Sequence, residues 1–231
     1  MRYHVVCFDV GFTLINERIH AEELLTEILA EVGHTADAEA LKTARQATNR
    51  WYLQRYHTLG NDDWASNDTI RALWLQFYEQ LFSQLDPTLD HADLGDRLIA
   101  HYEAPDNWVI YDDVMPTLET LKAQHIKMGV VSDWGTSLRP ILHAHGLSRY
   151  FDFVVGSADA GHAKPTSELY SLAVTRANVP AERMIHIGDS YYADVLGARS
   201  VGMDAALIDR QQRAPKTDCP ILHDLRELLT M

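Results

Sequence analysis

Five short apolar runs, at residues 3–8, 126–131, 153–155, 184–187 and 205–208, punctuate the chain. The first is rich in β-branched and aromatic residues and stops abruptly at Asp9, the mark of a strand buried on both faces. Helical periods or loop chemistry separate the later four. One strand at the start and four alternating with helices after residue 110 predict an α/β fold with a doubly wound, mainly parallel sheet. Between residues 16 and 108 the strand signal gives way to helical spacing. Leu25, Ile28, Leu29 and Val32 share one stripe. Ile70, Leu73, Trp74, Phe77, Leu81 and Leu85 form a second, and Leu94, Leu98, Ile99 and Tyr102 a weaker third. The most loop-like stretch of this region is residues 60–68. The predicted division is therefore an α/β core at 1–15 and 109–231, with a helical insertion at 16–108.

Composition narrows the class. At 231 residues, 46% hydrophobic and 23% charged, the chain is an ordinary globular protein rather than a disordered, collagenous or disulfide-stapled one. The formal net charge is −13. The insertion carries most of it, with seven Lys and Arg against 17 Asp and Glu, which is expected to be a solvated outer face. That balance repels nucleic-acid phosphates and anionic membranes, so neither is an expected partner. No apolar run nears the roughly 18 residues of a membrane span, and the N-terminus runs straight into the first strand rather than a signal peptide. Cys7 and Cys219 lie far apart, and Cys7 sits in an apolar run. Reduced thiols and a cytoplasmic location are the expectation.

The polar residues that trail the strands carry the candidate chemistry, because ligands of doubly wound sheets bind at the strands' carboxyl ends. They are Asp9-Val10-Gly11-Phe12-Thr13-Leu14, Ser132-Asp133, Lys164-Pro165 and Gly188-Asp189-Ser190 with Asp194. Asp9 alone reads as a turn former. Beside a second strand-tip carboxylate, Asp189, it makes a repulsive pair that a cation relieves, and Mg²⁺ takes one or two carboxylates while leaving positions for water and phosphate oxygens. Ser132 either caps the next helix or joins backbone N–H groups in an anion site. For Asp133 helix capping is the favoured role. Lys164 is either a surface lysine or a cation that stabilises transferring charge. Asp194 is placed to brace the metal site or Lys164.

In this order and spacing, the four segments resemble the motifs of the haloacid dehalogenase-like (HAD) hydrolase superfamily, across residues 3–208. The resemblance implies a Rossmann-like core with a mobile cap formed by the insertion, and a small phosphorylated metabolite as substrate. It implies that Asp9 attacks phosphorus to form an aspartyl-phosphate, which water then hydrolyses. Thr13, Ser132 and Asp133 fall at its phosphate pocket. Lys164 would orient Asp9, and Asp194 would support from behind. Mg²⁺ would be held by Asp9, Asp189 and the backbone carbonyl of Gly11.

The sequence departs from the pattern at Gly11, where most phosphatases of the superfamily carry a second Asp that protonates the leaving oxygen. Losing a general acid/base costs about 10²–10⁴ in rate, and Gly11→Asp is expected to restore activity on alkyl phosphates. Phosphonate hydrolases and dehalogenases also lack that Asp. The former need a cap lysine, and Lys42 is the only lysine of the insertion; the latter dispense with the metal and hence with Asp189. A fold kept for binding phosphate or Mg²⁺ with little turnover is the remaining alternative. Elsewhere, His143 and His145 point apart on a helix, and His186 is expected to pack beneath the site. Trp134 borders the pocket or covers the core. Arg45, Arg50, Arg55 and Arg71 are candidates to hold a substrate anion.

Overall fold

A computed structural model of the protein describes residues 2–58 and 60–231. Six parallel strands form the main sheet in the order β5-β4-β1-β6-β7-β8: β1 (Val5–Phe8), β4 (Lys127–Ser132), β5 (Phe153–Gly156), β6 (Met184–Gly188), β7 (Asp204–Ile208) and β8 (Ile221–Leu222). The register pairs Phe8 with Val130 on one side and with Ile187 on the other, so the tips of β1, β4 and β6 end side by side. Alternate residues of β1 feed opposite cores. Val6 and Phe8 face α5 (Val114–Ala123) and α6 (Leu138–Ala144), whereas Val5 and Cys7 face α8 (Ser167–Ala177) and α9 (Gly197–Ser200). Helices on both faces explain why the strands read as unbroken apolar runs rather than as alternations. The one-turn helix α7 (Ser157–Ala160) follows β5.

Between β1 and β4 the chain leaves the sheet through an antiparallel ribbon, β2 (Ile15–Glu17) paired with β3 (Trp108–Ile110). This ribbon straddles both predicted division points and had no counterpart in the sequence reading. From it hang four helices, α1 (Ala21–Glu31), α2 (Ala38–Tyr56), α3 (Asn67–Ser83) and α4 (His91–Glu103). They bury Leu24, Leu29, Phe77, Leu81, Phe82 and Leu98 in a core of their own. The three expected stripes lie on α1, α3 and α4, with two corrections: Val32 closes α1 and is 45% exposed, outside that core, and Leu85 lies past the end of α3. The longest helix, α2, has no strong stripe because its buried positions are only Leu41, Ala44 and Thr48. Among the described residues no helix is long and apolar enough to cross a membrane.

Candidate active site

Asp9 leaves β1 with its backbone N–H donated to the carbonyl of Ile187 on β6 (2.9 Å). The loop then doubles back, Leu14 N–H reaching Val10 O (2.9 Å) and Phe12 N–H reaching Ile15 O (2.7 Å). Phe12 adopts the left-handed region at φ 55° to make the turn. Asp9 is thereby held 7% exposed at the sheet edge. Ser132, the last residue of β4 rather than the residue after it, donates its hydroxyl to Asp9 Oδ1 (3.0 Å). It does not cap the next helix, whose N-cap position belongs to Ser137.

Lys164 supplies the local cation. Its Nζ stands 2.6 Å from Asp9 Oδ1 and 2.6 Å from Asp194 Oδ1, and its side chain is 3% exposed. Burial alone would lower the ammonium's pKa, but Asp194 and Asp9 overcome it and hold the value well above the ordinary one. Asp194 sits in the π-helical turn Tyr191–Leu196, accepts from Ser190 N (2.9 Å), and lies 2.9 Å from His186 Nε2. Burial opposes its ionisation, yet Lys164 and then His186 hold its carboxyl below the ordinary range. Asp194 therefore contacts Lys164 directly. Gly188 is required for this approach, because a Cβ there would stand 2.1 Å from Asp194 Cγ. His186 is fully buried in β6 beneath these side chains, and burial lowers its pKa against the opposing pull of Asp194.

Asp189 follows β6 at the tip adjoining β1 and is the exposed carboxylate of the set. Although the residue as a whole reaches solvent, the protein packed around its carboxylate, and then the charges of Asp9 and Asp194, push its pKa well up. Among the described residues no Lys or Arg pairs with it, in contrast to Asp9 and Asp194. Three carboxylates against one ammonium leave a charge deficit at this edge, and an all-oxygen donor set of that kind fits Mg²⁺. Among the described residues no three His, Cys, Asp or Glu side chains gather as a preformed metal cluster; a Mg²⁺ site that keeps water and substrate oxygens needs none. Thr13 is fully buried, and its hydroxyl has no hydrogen-bond partner. Such an orphan, in the loop that follows Asp9, is a candidate partner for a ligand oxygen.

Asp133 corrects the expectation of a helix cap. Its carboxylate spans two parts of the molecule, accepting from Lys164 N–H through Oδ1 (2.9 Å) and from the Tyr56 hydroxyl of α2 through Oδ2 (3.0 Å). Burial raises its pKa to about 7.

A family profile described as haloacid dehalogenase-like hydrolase matches residues 3–202. The chain belongs to the haloacid dehalogenase-like hydrolases. The protein of that name numbered domain-containing protein 3 from Danio rerio is 31% identical over 227 residues, covering 96% of this chain and 92% of its own. Among solved structures, the HAD phosphatase of Thermococcus onnurineus is 25% identical, covers 98% of this chain and 96% of its own, and superposes with a TM-score of 0.65. A magnesium-bound HAD hydrolase of Bacillus subtilis, 21% identical, shares the fold at a TM-score of 0.78 with 100% and 98% coverage.

Other residues of this HAD hydrolase fall outside the site or were missed in the sequence. Arg45, Arg55 and Arg71 are paired with Glu22, Asp63 and Asp96 at 2.5–2.6 Å, and Arg50 is exposed. Lys42 is exposed and pairs with Glu39. His145 Nε2 sits 3.0 Å from the Pro105 carbonyl while His143 faces solvent, so the two form no ligand pair. Trp134 packs on Trp108 with ring centroids 5.0 Å apart, and its ring covers Gly11. Arg210 donates to the Thr13 carbonyl (2.6 Å), pairs with buried Asp113, and stacks over Tyr111. Its contacts reach 197 residues back along the chain, and no local spacing announces them. Tyr56 was missed too, though Tyr52 and Tyr56 at i,i+4 on a polar helix are the signal that marks it.

Proposed function

We propose that this HAD hydrolase is a Mg²⁺-dependent phosphatase that moves the phosphoryl group of a small phosphorylated metabolite first to Asp9 and then to water. The observation that carries this reading is the buried Lys164 ammonium clamped between Asp9 and Asp194. Burial and the Asp194 charge push the Asp9 carboxyl above its ordinary range; Lys164 works against that rise and would offset charge that develops during transfer. Asp9, Asp189 and the backbone carbonyl of Gly11 are the groups that would hold Mg²⁺. When bound, the ion supplies charge neutralisation for the phosphoryl oxygens.

In the first step an Asp9 oxygen bonds to phosphorus and the bond from phosphorus to the leaving oxygen breaks. Ser132 and Thr13 offer hydroxyls to the phosphoryl oxygens. Water then attacks phosphorus, releasing phosphate and restoring the Asp9 carboxylate. Gly11 brings no proton to the leaving oxygen, so the reading favours leaving groups that depart unprotonated. Residues 16–108 act as the cap that closes over the substrate and excludes water. The exposed, Glu39-paired Lys42 speaks against a phosphonate hydrolase, and the orphan carboxylate of Asp189 beside Asp9 speaks against a metal-free dehalogenase. A reducing cytoplasm is the proposed location, supported by the free, buried thiols of Cys7 and Cys219.

Phosphate release over a panel of alkyl, aryl and acyl phosphates, with and without Mg²⁺, tests the proposal. Asp9→Asn is expected to lower turnover by on the order of 10³–10⁶, the scale seen when a covalent nucleophile is removed. Turnover that survives Asp9→Asn, or that ignores Mg²⁺, would refute it.

A further inference from the structure

The hydrogen bonds around Asp133 form a single path from the helical insertion to the nucleophile. Tyr56, the last residue of α2, donates its hydroxyl to Asp133 Oδ2 at 3.0 Å. The other oxygen of the same carboxylate receives the Lys164 backbone N–H at 2.9 Å. The Lys164 side chain in turn ends 2.6 Å from Asp9. The Tyr56 ring is itself held, stacked on Tyr52 with centroids 5.7 Å apart and meeting Tyr192 edge-on at 6.1 Å. Tyr192 belongs to the turn that follows Asp189, so Tyr56 touches the loops after both β4 and β6. The insertion grips the first of these loops a second time, where Asn67 at the start of α3 accepts the Thr136 N–H (2.9 Å).

The chemistry of Asp133 explains why a donor from outside is needed. Its position directly after Ser132 puts a carboxylate beside the proposed phosphate pocket, where an unpartnered negative charge would repel the substrate. With both oxygens bonded, the charge is drawn away from that pocket and the side chain has one orientation. One of the two donors comes from the insertion, so the carboxylate is fully satisfied only while the insertion is seated on the core. A donor that leaves with the insertion would free Asp133 to turn, and with it the Lys164 backbone it holds.

We propose that Tyr56 is a positioning residue. When the insertion closes, its hydroxyl fixes Asp133, which fixes the Lys164 main chain and so sets the ammonium against Asp9. Closure and assembly of the charged centre become one event. The effect on rate rests on the phosphatase reading above, but the effect on the Lys164 backbone does not.

Two measurements on the full chain test this. Exchange of the Lys164 amide hydrogen, followed by mass spectrometry or NMR without substrate, is expected to be slow in the wild type and faster in both Tyr56→Phe and Asp133→Ala. In steady-state assays with a phosphate ester that the wild type hydrolyses, Tyr56→Phe is expected to lower kcat by about 10- to 100-fold, the value of a hydrogen bond to a charged group, with the loss in kcat rather than KM. The double variant should lose no more than the single ones, because all three break one path. A Lys164 amide that exchanges as slowly in Tyr56→Phe as in the wild type would overturn the inference, and so would additive losses in the double variant. If the wild type turns over no phosphate ester, the phosphatase reading fails and the amide measurement alone decides. Circular dichroism of Tyr56→Phe, a change of one oxygen atom, checks that the fold is intact.

Discussion

Gly11 and Trp134 share the space in which a proton donor would stand. A Cβ added at Gly11 would lie 3.1 Å from Trp134 Cζ3, tight enough that the indole, itself packed on Trp108, must give way. Gly11→Asp alone is therefore expected to recover little activity on alkyl phosphates, a revision of what the sequence suggests. The pair Gly11→Asp with Trp134→Leu should recover about 10²-fold, the lower end for a general acid. Steady-state rates on one alkyl and one aryl phosphate check this, since the aryl ester should gain least. Asp133 makes the second expectation at this scale. Its folded pKa of about 7 lies above the roughly 3.9 of an unfolded Asp. A group raised in this way contributes stability that is complete below the unfolded value and is lost as pH rises through the folded one. The wild type should lose at most about 1.4 kcal/mol per pH unit from this group between pH 4 and 7. Asp133→Asn lacks that loss, so denaturant titrations at pH 5 and 7 should show the variant gaining on the wild type as pH rises.

Elements of the fold differ in how plainly the sequence declares them. Strands β1, β4, β5, β6 and β7 were legible because each is an apolar run buried on both faces. The β2–β3 ribbon was not, since its two strands of three residues pair across about 90 positions and only their first residues are buried. Helix α2 was equally silent as a stripe, its inward face being made of Leu41, Ala44 and Thr48. That silence hid Tyr56. The candidate site residues could be grouped from sequence for the opposite reason: Asp9, Ser132 and Asp189 stand at strand ends, and parallel strands must bring those ends to one edge. Helix α3 offers a direct test of local design. Ser66 caps it, accepting from Thr69 N–H (3.1 Å) in a reciprocal box that also satisfies its own N–H. Ser66→Ala should cost about 1 kcal/mol, read as a lower denaturant midpoint. Ser66→Asp should retain most of that energy.

For the whole molecule, a negative insertion sits over a site built of carboxylates. With a net charge of −13, the long-range field does not draw a phosphorylated substrate in. On the proposed reading, binding would be won locally, by the Lys164 ammonium, the orphan Thr13 hydroxyl and a cation beside Asp189. The insertion reaches Asp133 through Tyr56, a neutral donor, while Arg45, Arg55 and Arg71 pair with Glu22, Asp63 and Asp96. Covalent transfer to Asp9 stands at the centre of this account, and rapid quenching tests it most directly. Enzyme, Mg²⁺ and a turned-over phosphate ester are mixed and stopped within the first turnover, and the digested protein is weighed by mass spectrometry. The expected result is a phosphoryl group on the peptide containing Asp9, sensitive to hydroxylamine and absent from Asp9→Asn. Phosphate released in that first turnover with every Asp9 peptide unmodified, or a phosphoryl group on another residue, would contradict it.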